Sequence, residues 1–175
     1  MRFPLLLASM VLATSVTASN VSLAQSNSHS KVCDLLSQSE IEQATGLVVG
    51  PGRSAPWFSG STANCVWQGA GGTRVILILS NAEPMAMTMG SMLQTGGDVF
   101  DGLGDVAVGT RGIPETGGGY NLSFLDAKGG VAVTIPGNAG TSDRTVALGQ
   151  LIEQRRNPGT AAEVQPKHGL TAQVY

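Results

Sequence analysis

The chain has 175 residues, with 10 Lys and Arg against 12 Asp and Glu, a formal charge of −2 and a pI near 5.6. That balance leaves no basic footprint for nucleic acid. Charged residues are only 13% of the chain and glycines number 24, a composition that favours short β-strands joined by tight turns over a helical bundle.

The first residues read as a secretory signal. Arg2 is the only charge before Lys31, and Phe3 to Ala13 is a mostly apolar run followed by small and polar residues. Two small-x-small sites fit a signal peptidase, Val16-Thr17-Ala18 and Ser22-Leu23-Ala24, and the second is preferred. The apolar run is shorter than the ~20 residues needed to span a bilayer, so no membrane span is expected. A lipid anchor is not expected either, because Ser30-Lys31-Val32 precedes Cys33 where a lipoprotein would carry a small apolar box. The organisation expected is a signal peptide over 1–24, a flexible leader over 25–32, one domain over 33–157 and a flexible tail over 158–175, in a periplasmic or secreted protein. Removing 24 residues from 175 leaves 151, enough for a single core. The two cysteines, Cys33 and Cys65, suit a disulfide in an oxidising compartment. A metal or redox pair would call for Cys-x-x-Cys spacing, which is absent.

In chain order, Ser37 with Glu40, or Ser39 with Glu42, forms a capping box for a short helix that Gly46 stops. Leu36, Ile41 and Ala44 are its expected buried positions. Leu47 to Val49 is extended, and Gly50-Pro51-Gly52 interrupts it. Asn64 to Gln68 reads as a strand, Gly69 to Gly72 as a hairpin turn, and Thr73 to Ser80 as the strongest and most central strand. Glu83 to Gln94 is a helix with Pro84 in its first turn, closed by Gly96-Gly97. Val99 to Gly104 is a loop, and Asp105 to Val108 a short strand. Tyr120 to Leu125 and Gly130 to Ile135 form a hairpin about Asp126-Ala127-Lys128-Gly129. The last helix, Thr141 to Arg156, is capped by Thr141 or Ser142, with Val146, Leu148, Leu151 and Ile152 as its apolar stripe and Arg155 and Arg156 at the end that favours cations. The order implies an α+β fold: an antiparallel sheet built from two β-β-β-α-like halves, with helices on one face and one disulfide.

Cys33-x-Leu35-Leu36 with its Ser/Glu-rich helix, then Cys65-x-Trp67, then Gly102-Leu103-Gly104-Asp105-x-Ala107, resembles a group of small secreted bacterial proteins and actinobacterial lipoproteins that share a domain of unknown function. The resemblance implies an exported α+β domain with one disulfide and brings no activity with it. The residues themselves suggest that Trp67, on the same strand face as Cys65, packs beside the bridge, and that Gly102, Gly104 and Asp105 fix a turn. Gly102-x-Gly104-x-x-Ala107 also matches a dinucleotide fingerprint by letter. It is rejected because strand, not helix, follows it.

Catalytic residues and cofactors are not assigned. His29 and His168 lie in the polar leader and tail, where a Ser-His-Asp, Cys-His or His-built zinc site would not be held in place. Asp98, Asp101 and Asp105 share a glycine-rich loop without calcium-loop spacing. Met85, Met87 and Met89, with Met92 behind, could offer thioethers to copper(I), but on a helix Met87 points away from the other three, as a core face with one outlier would. Trp57 and Phe58, before Gly60, form the candidate binding surface. The function expected is therefore non-enzymatic: binding of a protein partner or small ligand in the envelope or outside the cell. Copper binding through the methionines, or an enzyme using acidic residues alone, are the alternatives. The latter requires two carboxylates facing one cleft.

Overall fold

The computed structural model describes residues 31–55, 63–112, 118–159 and 165–167. The expected signal peptide, most of the expected leader, His29, Trp57, Phe58 and His168 lie outside the described residues. The elements are α1 (Gln38–Thr45), β1 (Ala63–Gln68), β2 (Arg74–Ser80), α2 (Ala82–Gln94), β3 (Asp98–Asp101), β4 (Val106–Arg111), β5 (Gly119–Asp126), β6 (Gly129–Pro136), α3 (Ser142–Arg156) and β7 (Gln165–Lys167). The strands form one sheet in the order β1-β2-β6-β5-β4-β3-β7, and every pairing is antiparallel.

The α+β class, the antiparallel sheet with helices packed against it and the single disulfide are as expected. Each run of strands ends in a helix. The first run has two full strands, with Val49 and Arg53 adding single bridges to Gly69 and Val66. The second has four, because Asp98–Asp101 pairs with β4 instead of staying loop. β2 is not central: β6 pairs on its inner side, and β2 lies one strand from the edge. Part of the expected tail, Gln165–Lys167, adds β7 to the otherwise open edge of β3.

Strand alternation decides which helix covers which face. One face carries Cys65, Trp67, Leu77, Val133, Leu122 and Phe124, placed side by side by Cys65↔Leu77, Leu77↔Val133 and Leu122↔Val133. This is the main core, which also holds Leu148 and Ile152 of α3 and Ile41 of α1. The other face is built from smaller residues, and Met85, Met89 and Met92 of α2 pack there on Val108, Leu125 and Ala132. The helices therefore divide, α1 and α3 on one face and α2 on the other. Small residues such as Gly130 make room for α2, since a Cβ on Gly130 would lie 2.6 Å from Met85 Cγ.

Local sequence explains the helix ends. Ser37 Oγ accepts from the Glu40 amide while Glu40 Oε2 accepts from the Ser37 amide at 2.8 Å, and Gly46 stops α1 with φ of 68°. The hydrogen bonds from the Ser37 hydroxyl and amide hold the Glu40 carboxyl below its ordinary pKa, and Glu40 also pairs with Arg155 of α3. Thr141 caps α3. The Cys33–Cys65 bridge has a Cα–Cα distance of 5.2 Å and ties the segment before α1 to β1. Trp67 is 1% exposed beside it, and Gly52 completes the packing: a Cβ there would meet Trp67 Nε1 at 2.7 Å and Cys65 Sγ at 2.8 Å. In the chain-entropy model a loop of this size is worth ~3–4 kcal/mol.

A buried ion pair locks α3 to the sheet. Arg156 donates from Nε to Asp126 Oδ2 at 2.6 Å and from a terminal nitrogen to Oδ1 at 2.7 Å. Asp126 also accepts from the Lys128 amide and from Asn157. Burial opposes the Asp126 charge, but the Arg156 hydrogen bonds, the Lys128 amide and the Arg156 charge outweigh it and hold the carboxyl below its ordinary pKa. The depressed value means that the pair stabilises the fold above the unfolded-state carboxylate pKa of ~3.9 and that this contribution is lost as pH falls through the lower folded value. Arg156→Met should cost about 3–5 kcal/mol, because it strands a buried carboxylate. Chemical denaturation near neutral pH checks this, and Asp126→Asn should show a shallower acid loss of melting temperature than the parent. A loss under 1 kcal/mol for Arg156→Met (about the scale of an exposed pair) would make the bridge incidental.

A mixed-charge cleft at the start of the last helix

Several hollows open on the described surface, and three are set by well-defined elements. One of ≈420 Å³ borders Pro51, Arg53 and Gln68, and one of ≈380 Å³ lies between α1 and α3. The third, of ≈540 Å³, sits where the ends of β3, β4 and β5 meet the first turn of α3. Of these three, it is the one with a buried hydroxyl and charges of both signs brought together by separate elements.

Tyr120, the second residue of β5, is 2% exposed. Its hydroxyl donates to Asp98 Oδ2 on β3 at 3.2 Å. β3 and β5 are not neighbours, since β4 lies between them. The reach is possible because the intervening position is Gly109: a Cβ there would collide with Tyr120 Oη and lie 2.7 Å from Phe100 Cε2. Ser142, in the first turn of α3, and Arg111, paired with Tyr120 across β4 and β5, line the same hollow and act on the ionisation of the phenol. Burial raises the Tyr120 pKa most, Asp98 adds to the rise, and Ser142 and Arg111 oppose it. The phenol therefore stays protonated at physiological pH and serves as donor to Asp98. Asn138, Thr141 and Asp143 complete the rim. Asp143 is stabilised where it stands by the first-turn amides of α3.

Of the three loop acids, Asp98 enters this cleft. Asp101 and Asp105 are exposed elsewhere. The turn before β4 is fixed by backbone: the Asp105 amide donates to the Leu125 carbonyl at 2.7 Å, Gly102 and Gly104 take positive φ, and Leu103 is driven into the core. Val106–Arg111 continues as strand, in keeping with the rejected dinucleotide reading. The methionines do not converge. Met85 and Met89 are buried under α2, while Met87 is 73% exposed. Among the described residues no group of three or more His, Cys, Asp or Glu could hold a metal ion, and no helix is long and apolar enough to cross a membrane. No local pattern marks Tyr120, Arg111, Ser142 and Asp143 as a site, although Gly109, a glycine inside a strand, is the kind of position that signals a close approach.

No family model matches the chain, and neither the search of curated proteins nor that of solved structures finds a match.

Two substitutions test the cleft's construction. Gly109→Ala should push Tyr120 and Phe100 aside and cost about 1–3 kcal/mol in chemical denaturation. Asp98→Asn should lower the Tyr120 ionisation in an ultraviolet difference titration, with Tyr120→Phe identifying its signal. An unchanged titration would mean that Tyr120 and Asp98 do not interact in solution.

Proposed function

We propose that this is an exported, non-enzymatic binding domain whose small ligand occupies the cleft at the start of α3. The observation that carries the reading is the convergence of Tyr120, Asp98, Arg111 and Ser142 from β5, β3, β4 and α3 on one hollow of ≈540 Å³. Few, placed polar groups around a concave surface are what ligand recognition needs. Export is supported by the signal-like residues 1–24, by the Cys33–Cys65 disulfide and by the resemblance to small secreted bacterial proteins. Asp98 and Asp143 both line the cleft, which is the arrangement an acid-only enzyme would require. We assign them to recognition, because both are exposed to water and Asp98 is committed to accepting the Tyr120 hydrogen bond.

Screening small metabolites and peptides by thermal stability tests this. A true ligand at a hundred times its Kd adds about 2.7 kcal/mol, and it should move the amide resonances of Gly112, Gly119 and Gly140, which line the cleft. Material recovered from outside the cytoplasm should begin at Gln25. Retention of Met1 there, or ligands that perturb only other surfaces, would overturn the respective half of the proposal.

A further inference from the structure

We infer that the ligand is zwitterionic: a free amino acid or a short peptide with an unblocked ammonium group and carboxylate. This rests on the reading of the cleft as the binding site and adds the chemistry of what fits it.

The argument begins with charge. A site for a simple anion would gather cations, and a site for a simple cation would gather carboxylates. This cleft presents Arg111 from the end of β4 together with Asp98 from β3 and Asp143 from α3. Among the described residues the ion pairs within 4 Å are Arg155–Glu40 and Arg156–Asp126, so the cleft charges do not neutralise one another. Both signs thus remain available to a ligand that carries both. Arg111 offers the planar fork that matches a carboxylate. Asp98 can take an ammonium on the oxygen not engaged by Tyr120.

The floor adds a second, independent element. Phe100 and Tyr120 are buried side by side beneath the charged rim, with Gly109 between them. An apolar aromatic floor suits the carbon skeleton of an amino acid. Glycines at 112, 119, 137 and 140 line the walls and leave backbone close to the space a peptide would fill. The hollow exceeds the size of one amino acid, so it has room for two or three residues.

The test uses the mature protein labelled with nitrogen-15, with alanyl-alanine as the probe, compared with its N-acetylated and C-amidated forms and with the twenty free amino acids. Binding is read from the amides of Gly109, Gly112, Gly119 and Gly140. Expected is saturable movement with the unblocked peptide or a free amino acid, and weakening by roughly tenfold to a hundredfold on blocking either end. Arg111→Met should erase the penalty for amidation, and Asp98→Asn or Asp143→Asn the penalty for acetylation. Each of these residues is exposed, and the spectrum reports directly whether the variant is folded. Blocked forms binding as well as the free one would overturn the zwitterion assignment and leave the cleft as the site. So would movement of these glycines only by compounds of another class. Failure of every compound to move them would overturn the site and its ligand together.

Discussion

The Asp126–Arg156 ion pair fastens the last turn of α3 to the end of β5, and Gly140, just before α3, packs on the beginning of the same strand, where a Cβ would lie 2.8 Å from the Tyr120 nitrogen. The two spans match. From Ser142 to Arg156 is 14 helical steps, about 21 Å at ~1.5 Å each. From Tyr120 to Asp126 is six strand steps, about 20 Å at ~3.3–3.4 Å each. A helix tied at both ends to one strand cannot slide along it, and its apolar side chains Leu148 and Ile152 are presented to the sheet in one register. Gly149 allows the close approach, since a Cβ there would lie 2.7 Å from Leu122 Cδ2. The cleft depends on this fit, because Ser142 and Asp143 reach it only when α3 starts at the level of Tyr120. The cost of the arrangement is one buried carboxylate, and Glu153 Oε2 adds a buried oxygen with no hydrogen-bond partner among the described residues.

What could be read in advance divides along sequence distance. The capping box of Ser37 and Glu40, the stop at Gly46, the hairpin about Asp126 to Gly129 and the cap at Thr141 are made by residues within a few positions of one another, and local chemistry announces them. Trp67 beside the disulfide follows from strand alternation alone. The helix-facing pattern of Met85, Met89 and Met92 against Met87 was also visible, because period and burial agree on a single helix.

The cleft was hidden for the opposite reason. Asp98 and Tyr120 lie 22 residues apart and on strands that are not even adjacent. Their meeting depends on the strand order and on the absence of a side chain at Gly109. Strand order also hid the place of β2, one strand from the edge: its apolar run Val75 to Leu79 reads as a central strand, yet only Val75 and Leu77 are fully buried, while Ile76, Ile78 and Leu79 are partly buried. The division of the helices between two faces follows from small residues at Gly130 and Ala132, whose significance appears only when α2 is seen to cross them. The salt bridge of Asp126 with Arg156 joins a turn residue to a helix end 30 positions on, and each looked sufficiently explained by its own neighbourhood.

The β2–β6 pairing sets an order of events for the chain as it is made. Leu77 opposes Val133, 56 positions later, so the hairpin of β1 and β2 must wait with an unpaired inner edge until most of the domain exists. Cys33 and Cys65, by contrast, both lie upstream of β2 and can close while that partner is still missing. Contacts between distant segments are slow to form, so the sheet closes only once the last third of the chain has arrived. The same delay leaves an apolar strand edge bare in the meantime, which makes this hairpin the segment most open to wrong strand pairing before the domain closes.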